Sequence, residues 1–129
     1  MMTKKLLLSL VIIFAALIQM TAQTIKQLNS VEIQQILSKN KQIVILDVRT
    51  PQEFASGHLK GALNIDIYKE DFYSRIDKLN KKTSYLIYCR THNRSDVTVK
   101  YMNQKGFETV FQMMDGFPGW AANNFTIKK

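Results

Sequence analysis

The chain carries one cysteine, at the head of Cys89-Arg90-Thr91-His92-Asn93-Arg94-Ser95. Before it runs an apolar stretch, Tyr85-Leu86-Ile87-Tyr88, and after it the spacing predicts a helix from Ser95 to Lys105. A strand that ends in Cys, turns tightly and enters a helix sets the sulfur against free backbone N–H groups and the positive end of a helix dipole. Such a setting stabilises a thiolate and draws the thiol pKa below its ordinary value. The residue types point to Cys89 as a nucleophile in an anion cradle, with Arg90 and Arg94 attracting an anionic ligand. Arg94 has a second reading, an ion pair with a nearby carboxylate. Cys89 has one too, a buried structural thiol. Taken in isolation, Asp47, Arg49, Glu53 and His58 look like an acid–base set.

With a single cysteine the chain can form neither an internal disulfide nor a Cys-X-X-Cys couple. His58 and His92 are the only histidines, too few beside one Cys for a structural zinc site. No metal and no cofactor is expected. The formal net charge is +8. Lys4 and Lys5 carry two of those charges at the front of the chain, and the remaining basic residues are scattered. Without a basic run or an aromatic-interleaved patch, nucleic acid is not the expected partner. A solvated basic surface that attracts small anions is the plainer account.

The first residues form an address. Met1-Met2-Thr3-Lys4-Lys5 is positive, Leu6 to Ile18 is an uncharged, mostly apolar run of thirteen residues, and Gln19 to Gln23 turns polar. That is the layout of a secretory signal peptide over residues 1–22, cut after Ala22, with the domain at 23–129. The run is short for a membrane span, which needs about 20 residues. The expected product is an exported protein, periplasmic or secreted, with no stable membrane span after cleavage. An uncleaved N-terminal anchor is the alternative.

The elements that must position Cys89 follow from periodicity. Ser30 can cap a helix through Val31, Ile33, Ile36 and Leu37. Gln42 to Val48 is a nearly continuous β-branched run, as in a strand buried on both faces. Gln52 to Ser56 spans one or two helical turns stopped by Gly57, Ala62 to Ile67 is short and extended, and Phe72, Ile76 and Leu79 share a helix face. Val97, Tyr101 and Met102 line one side of the helix after the cysteine, with Gly106 as its stop. Thr109 to Met113 is a further strand, and Gly116, Pro118 and Gly119 break the chain before Trp120. Strands alternating with helices give an α/β fold with a parallel sheet covered on both faces. In such sheets the active site lies beyond the carboxyl ends of the strands.

Three blocks give the chain a family likeness over about residues 27–122. They are Asp47-Val48-Arg49-Thr50-Pro51-Gln52-Glu53-Phe54-Ala55-Ser56-Gly57-His58-Leu59-Lys60-Gly61-Ala62-Leu63-Asn64-Ile65, the Cys89–Ser95 loop, and Gly106-Phe107 followed by Asp115-Gly116-Phe117-Pro118-Gly119-Trp120. In that order and at those separations they resemble a single-domain rhodanese-like (thiosulfate sulfurtransferase-type) protein. The resemblance implies a sandwich around a mainly parallel sheet of about five strands. It also implies transfer of a sulfane sulfur from thiosulfate or a related donor, through a Cys89 persulfide, to a thiol, a protein or cyanide. Arg90, Thr91, His92, Asn93, Arg94 and Ser95 would then bind the substrate. Asp47, Arg49, Glu53 and His58 would be structural, tying a strand end to its turn.

Related phosphatases and arsenate reductases have loops one residue longer. Four residues between Cys89 and Arg94 favour a persulfide over phosphate. A binding or sulfur-carrier module with little turnover is the other class the resemblance leaves open. The fourth loop position is usually Gly in active members and is His92 here. Because a tight cradle often needs positive φ, His92 is expected to carry strain on the order of 1 kcal/mol. Alternatively it adds a positive charge at acid pH, or simply faces solvent.

Overall fold

The computed structural model describes residues 22–129, together with Lys4. Apart from Lys4 and Ala22, the expected leader lies outside the described residues. Among them, no helix is long and apolar enough to cross a membrane.

The element order is β1 (Thr24–Leu28), α1 (Ser30–Lys39), β2 (Val44–Asp47), α2 (Pro51–Ser56), β3 (His58–Leu59), β4 (Leu63–Asn64), α3 (Phe72–Asp77), β5 (Ser84–Tyr88), α4 (Asn93–Gln104), β6 (Thr109–Met113), α5 (Gly116–Ala122) and β7 (Ile127–Lys128). Five strands form one sheet in the order β1-β6-β5-β2-β4, and every pairing in it is parallel. The short β3 and β7 pair antiparallel beside it. This is the α/β sandwich with a central five-stranded parallel sheet that the resemblance implies.

Side chains alternate across a strand, so β5 feeds both faces. Tyr85, Ile87 and Cys89 join a core with Phe72 and Ile76 of α3 and Val99 and Met102 of α4. Leu86 and Tyr88 join the opposite core with Ile33 of α1 and Trp120 of α5. The run Tyr85–Tyr88 thus sets which face receives the sulfur, and β5 is the middle strand of five.

Local chemistry ends the helices. The cap of α1 is Asn29, not Ser30: Asn29 accepts from the Glu32 amide, and Glu32 accepts from the Asn29 N–H. That reciprocal pair satisfies two orphan donors. Ser30, fully buried, instead donates its amide and hydroxyl to Asp115, at 2.8 and 2.7 Å. Gly106 stops α4 as expected, at φ +85°, with the Phe107 amide on Met102 O and its own amide on Asn103 O.

Two further expectations about the elements fail. Val97 is exposed, and the covered face of α4 is Ser95, Thr98, Val99 and Met102, a true i, i+3, i+4, i+7 stripe. Its first half is polar, so an apolar count misplaces it. Gly116, Pro118 and Gly119 do not break the chain but lie within α5. Pro118 sits in the first turn, where its missing N–H has no intrahelical partner to lose.

Candidate active site

Cys89 follows β5 directly and is fully buried. Its Sγ lies 3.7 Å from Ser95 Oγ, and its carbonyl accepts from the Phe117 amide at 3.0 Å. Helix α4 begins at Asn93, two residues earlier than the sequence suggests, so Asn93, Arg94 and Ser95 form its first turn. The amides of that turn have no intrahelical acceptor and stand at the positive end of the helix dipole, with the Asn93 amide reaching Thr91 Oγ1 at 3.4 Å. The turn is tight because α5 presses on it. A Cβ on Gly116 would overlap the Arg90 and Thr91 carbonyl oxygens, and Gly116 takes φ +63°. Only glycine fits both the close approach and that backbone.

Arg90, Thr91, His92 and Asn93 are exposed around the buried thiol. Among the described residues Arg90 makes no ion pair. Arg94 makes a strong one. Its Nη1 and Nη2 meet Glu53 Oε1 and Oε2 at 2.7 and 2.9 Å, and its guanidinium lies 5.8 Å from the Tyr68 ring centroid. The Arg94 hydrogen bond, with Thr50's contacts and Arg94's charge, outweighs burial and lowers the Glu53 carboxyl to about 2. Arg94 is raised in turn, chiefly by Glu53 and also by the nearby Cys89. Glu53 is itself held by the capping box of α2, with Thr50 as the cap. Of the two sequence readings of Arg94, ion pair or anion hook, the ion pair is the one made here.

His92 is not strained. Its φ is −140° and its ψ −5°, and the only non-glycine with positive φ among the described residues is Asn124. Because α4 starts at Asn93, His92 occupies the N-cap position, where negative φ is normal. Its Nδ1 lies 2.9 Å from Asp96 Oδ2. Partial burial pushes the Asp96 carboxyl up, but hydrogen bonds from Gln112 and His92 hold it below the ordinary aspartate value.

Asp47 and Arg49 sit behind the site rather than in it. Both are buried, with Arg49 Nη2 2.6 Å from Asp47 Oδ2 and 2.7 Å from the Gly57 carbonyl. The Tyr88 hydroxyl donates to Asp47 Oδ2 at 2.6 Å and accepts from the Leu59 amide at 3.1 Å. Arg49 also stacks over Phe117, 4.4 Å from the ring centroid. Burial alone would lower Arg49, but the Asp47 carboxylate raises it. Burial and the same carboxylate push the Tyr88 phenol up. No buried side-chain nitrogen or oxygen among the described residues lacks a partner, and the group ties β2, β3, β5 and α5 together. His58 stacks on Phe54 at 3.7 Å and 5°. Its Nδ1 lies 2.8 Å from the Phe54 carbonyl, which can only accept, so that nitrogen carries the hydrogen.

The structure therefore brings Cys89, Ser95, Arg94 and Glu53 to one place, leaves Arg90, Thr91, His92 and Asn93 around it, and puts Asp47, Arg49 and His58 elsewhere. Sequence reasoning missed Gln112, which is fully buried and donates to Ser95 Oγ at 2.9 Å and to Asp96 Oδ1 at 2.6 Å. A lone amide in the run Thr109-Val110-Phe111-Gln112-Met113 was the available signal. Thr50-x-x-Glu53, an ordinary capping-box pattern, was another. A cleft of about 680 Å³ lies at the opposite, amino-terminal end of β2, lined by Leu37, Gln42, Ile45, Lys60 and Trp120 among others. Neither Cys89 nor any residue of its loop lines it. Among the described residues no group of three or more His, Cys, Asp and Glu side chains is placed to hold a metal ion.

Residues 30–123 match the model of the rhodanese-like domain family. A sulfurtransferase of Allochromatium vinosum is 27% identical over 103 residues, covering 80% of this chain and 94% of its own. Thiosulfate sulfurtransferase GlpE of Coxiella burnetii is 30% identical over 101 residues, covering 78% of this chain and 92% of its own. The crystal structure of a rhodanese-related protein from Thermoplasma volcanium superposes with a TM-score of 0.70 at 22% identity, covering 80% of this chain and 97% of that one. That last likeness concerns the fold.

Proposed function

The chain belongs to the rhodanese-like family, whose relatives include sulfurtransferases, and from that premise we propose that it is an exported sulfurtransferase that carries sulfur on Cys89. The observation that supports this most is the sole cysteine of the chain, buried at the carboxyl end of the central strand against the first turn of α4.

The first half-reaction on thiosulfate balances as a displacement at sulfur. The Cys89 thiolate attacks the outer sulfur, a new S–S bond forms, and the S–S bond of the donor breaks with its electron pair leaving on sulfite. The Cys89 persulfide then gives its terminal sulfur to cyanide as thiocyanate, or to a thiolate as a new persulfide, and the Cys89 thiolate returns. One nucleophile serves both halves, as ping-pong transfer requires. Arg90, exposed and unpaired among the described residues, is the group suited to draw the dianion in. The orphan amides of α4 and the Ser95 hydroxyl are the groups suited to hold a buried sulfur anion. Arg94 works through Glu53, bracing α4 against α2.

Full burial of Cys89 also favours a second reading, a sulfur carrier loaded by a protein partner rather than by free thiosulfate. Intact-mass analysis of the protein separates the two. Incubation with thiosulfate is expected to add one sulfur atom, and cyanide to remove it with turnover. A protein that thiosulfate never loads overturns the enzyme reading. For export, N-terminal sequencing of protein recovered outside the cytoplasm is expected to begin at Gln23, and an intact Met1 there would overturn the cleavage.

A further inference from the structure

Behind Ser95 stands an amide with no part in the chemistry above. Gln112 lies on β6, shares the α4-side face with Val110 and is fully buried. Its Nε2 reaches Asp96 Oδ1 at 2.6 Å, Ser95 Oγ at 2.9 Å and His92 O at 3.4 Å, and its Oε1 accepts from Gln27 Nε2 at 3.3 Å. Ser95 Oγ donates to His92 O at 3.0 Å and stands 3.7 Å from Cys89 Sγ.

A hydroxyl has one hydrogen to give and two lone pairs to accept with. Gln112 fills one lone pair, and the Cys89 thiol is placed to use the other. Once Cys89 ionises it can only accept, and the Ser95 hydrogen is free to turn from His92 O to the sulfur. His92 O is not orphaned by that turn, because it still accepts from the Asp96 amide at 2.7 Å. A flipped amide would reverse the arrangement: Oε1 would take the Ser95 hydrogen and leave the sulfur anion without it. The flip is opposed by Asp96, whose ionised carboxylate can only accept and therefore selects the NH₂ side.

We propose that Gln112, clamped by Asp96, is a positioning residue that keeps the Ser95 hydroxyl as a donor to the Cys89 thiolate and persulfide. This rests on Cys89 being the nucleophile. The charged and titratable groups around Cys89 are Arg90, His92, Arg94 and Asp96 on the loop and α4, Glu53 on α2, Tyr68 over Arg94, Tyr88 with Asp47 and Arg49 beside β2, and Asp115 before α5. The substitutions Q112M and S95A change none of them.

The test is the pH midpoint of Cys89 alkylation by iodoacetamide in the full-length protein. Q112M and S95A are each expected to raise it by about one unit, roughly tenfold in rate below the midpoint, and together to raise it little further. A purely structural role would lower thermal stability in Q112M without moving the midpoint, and that result overturns the proposal. If Q112M does not fold, the half-exposed Asp96 supplies the decision. D96N and D96A both remove the charge, which alone favours the thiolate, but only D96N keeps an acceptor for the amide. The D96A midpoint is expected above that of D96N, and equal midpoints, or the reverse order, would sink the proposal. Alkylation reads Cys89 whether or not sulfur is transferred. A protein that fails to load sulfur therefore tells against the function, while the midpoints still judge Gln112.

Discussion

Two clusters of polar side chains lie beside β5, one on each face of the sheet. Asp47, Arg49 and Tyr88 are charge-dense, buried and mutually satisfied. The Cys89 cradle has one buried sulfur, a hydroxyl at hydrogen-bonding distance and exposed basic residues around it. By residue type alone the first cluster looks more like catalytic machinery. Its groups are already spent on one another, so it holds shape. The second keeps the Arg90 charge unpaired among the described residues, which is what an incoming anion needs.

The sharpest way to break this contrast is Cys89→Ser. It should abolish thiosulfate-dependent gain of mass and thiocyanate formation while leaving thermal unfolding close to the parent protein. Residual turnover above background would move the chemistry away from the cradle.

Asp47→Ala should do the opposite. Removing one partner of a buried pair leaves Arg49 charged and unpaired, which costs about 3–5 kcal/mol. Urea unfolding should show that loss, whereas the fraction still folded should retain its rate of persulfide formation. A stable but inactive variant would mean that the rear cluster takes part in the reaction.

Within the cradle the two arginines should separate. Arg90→Ala should raise the thiosulfate KM about tenfold with little change in kcat, matching an exposed charge-assisted contact of about 1.4 kcal/mol. Arg94→Ala should lower stability more than affinity, because its partner is Glu53. Equal kinetic defects would show that Arg94 leaves Glu53 to meet the substrate.

The Glu53–Arg94 pair sets a smaller, pH-dependent effect. Glu53 is lowered from its ordinary value of 4.5 to about 2 in the folded protein. Its contribution is therefore complete above pH 4.5 and is lost as the pH falls toward 2. For a partly exposed pair that amounts to about 1 kcal/mol. Glu53→Gln should flatten that part of the stability profile, measured as the urea midpoint between pH 5 and pH 2.5, and an unchanged slope would remove the pair from the account.

His92→Gly should matter least. With φ at −140° there is no left-handed strain to relieve, so persulfide formation should change less than twofold. A several-fold gain would restore the strain account.

Much of this was legible along the chain. The run Tyr85–Tyr88 ends where Cys89 begins, and a period of two then puts the sulfur on the face of Ile87. Gly106 stops α4 because one residue there needs positive φ, and Gln42–Val48 announces a strand buried on both sides. These follow from covalent geometry and local periodicity, which a sequence states directly. What it could not state were choices among partners. Asn29 and Ser30 are both good caps, and the difference lies in Asp115, far along the chain. Arg94 could hold an anion or a carboxylate, and α2 brings Glu53 to it. The backbone of His92 depends on where α4 starts, and Ser95 can be buried at the start of α4 because Gln112, from another strand, bonds its hydroxyl. Each of these is a competition between groups distant in sequence, and only the packing of β5, α4, α5 and β6 brings the competitors within a hydrogen bond's length.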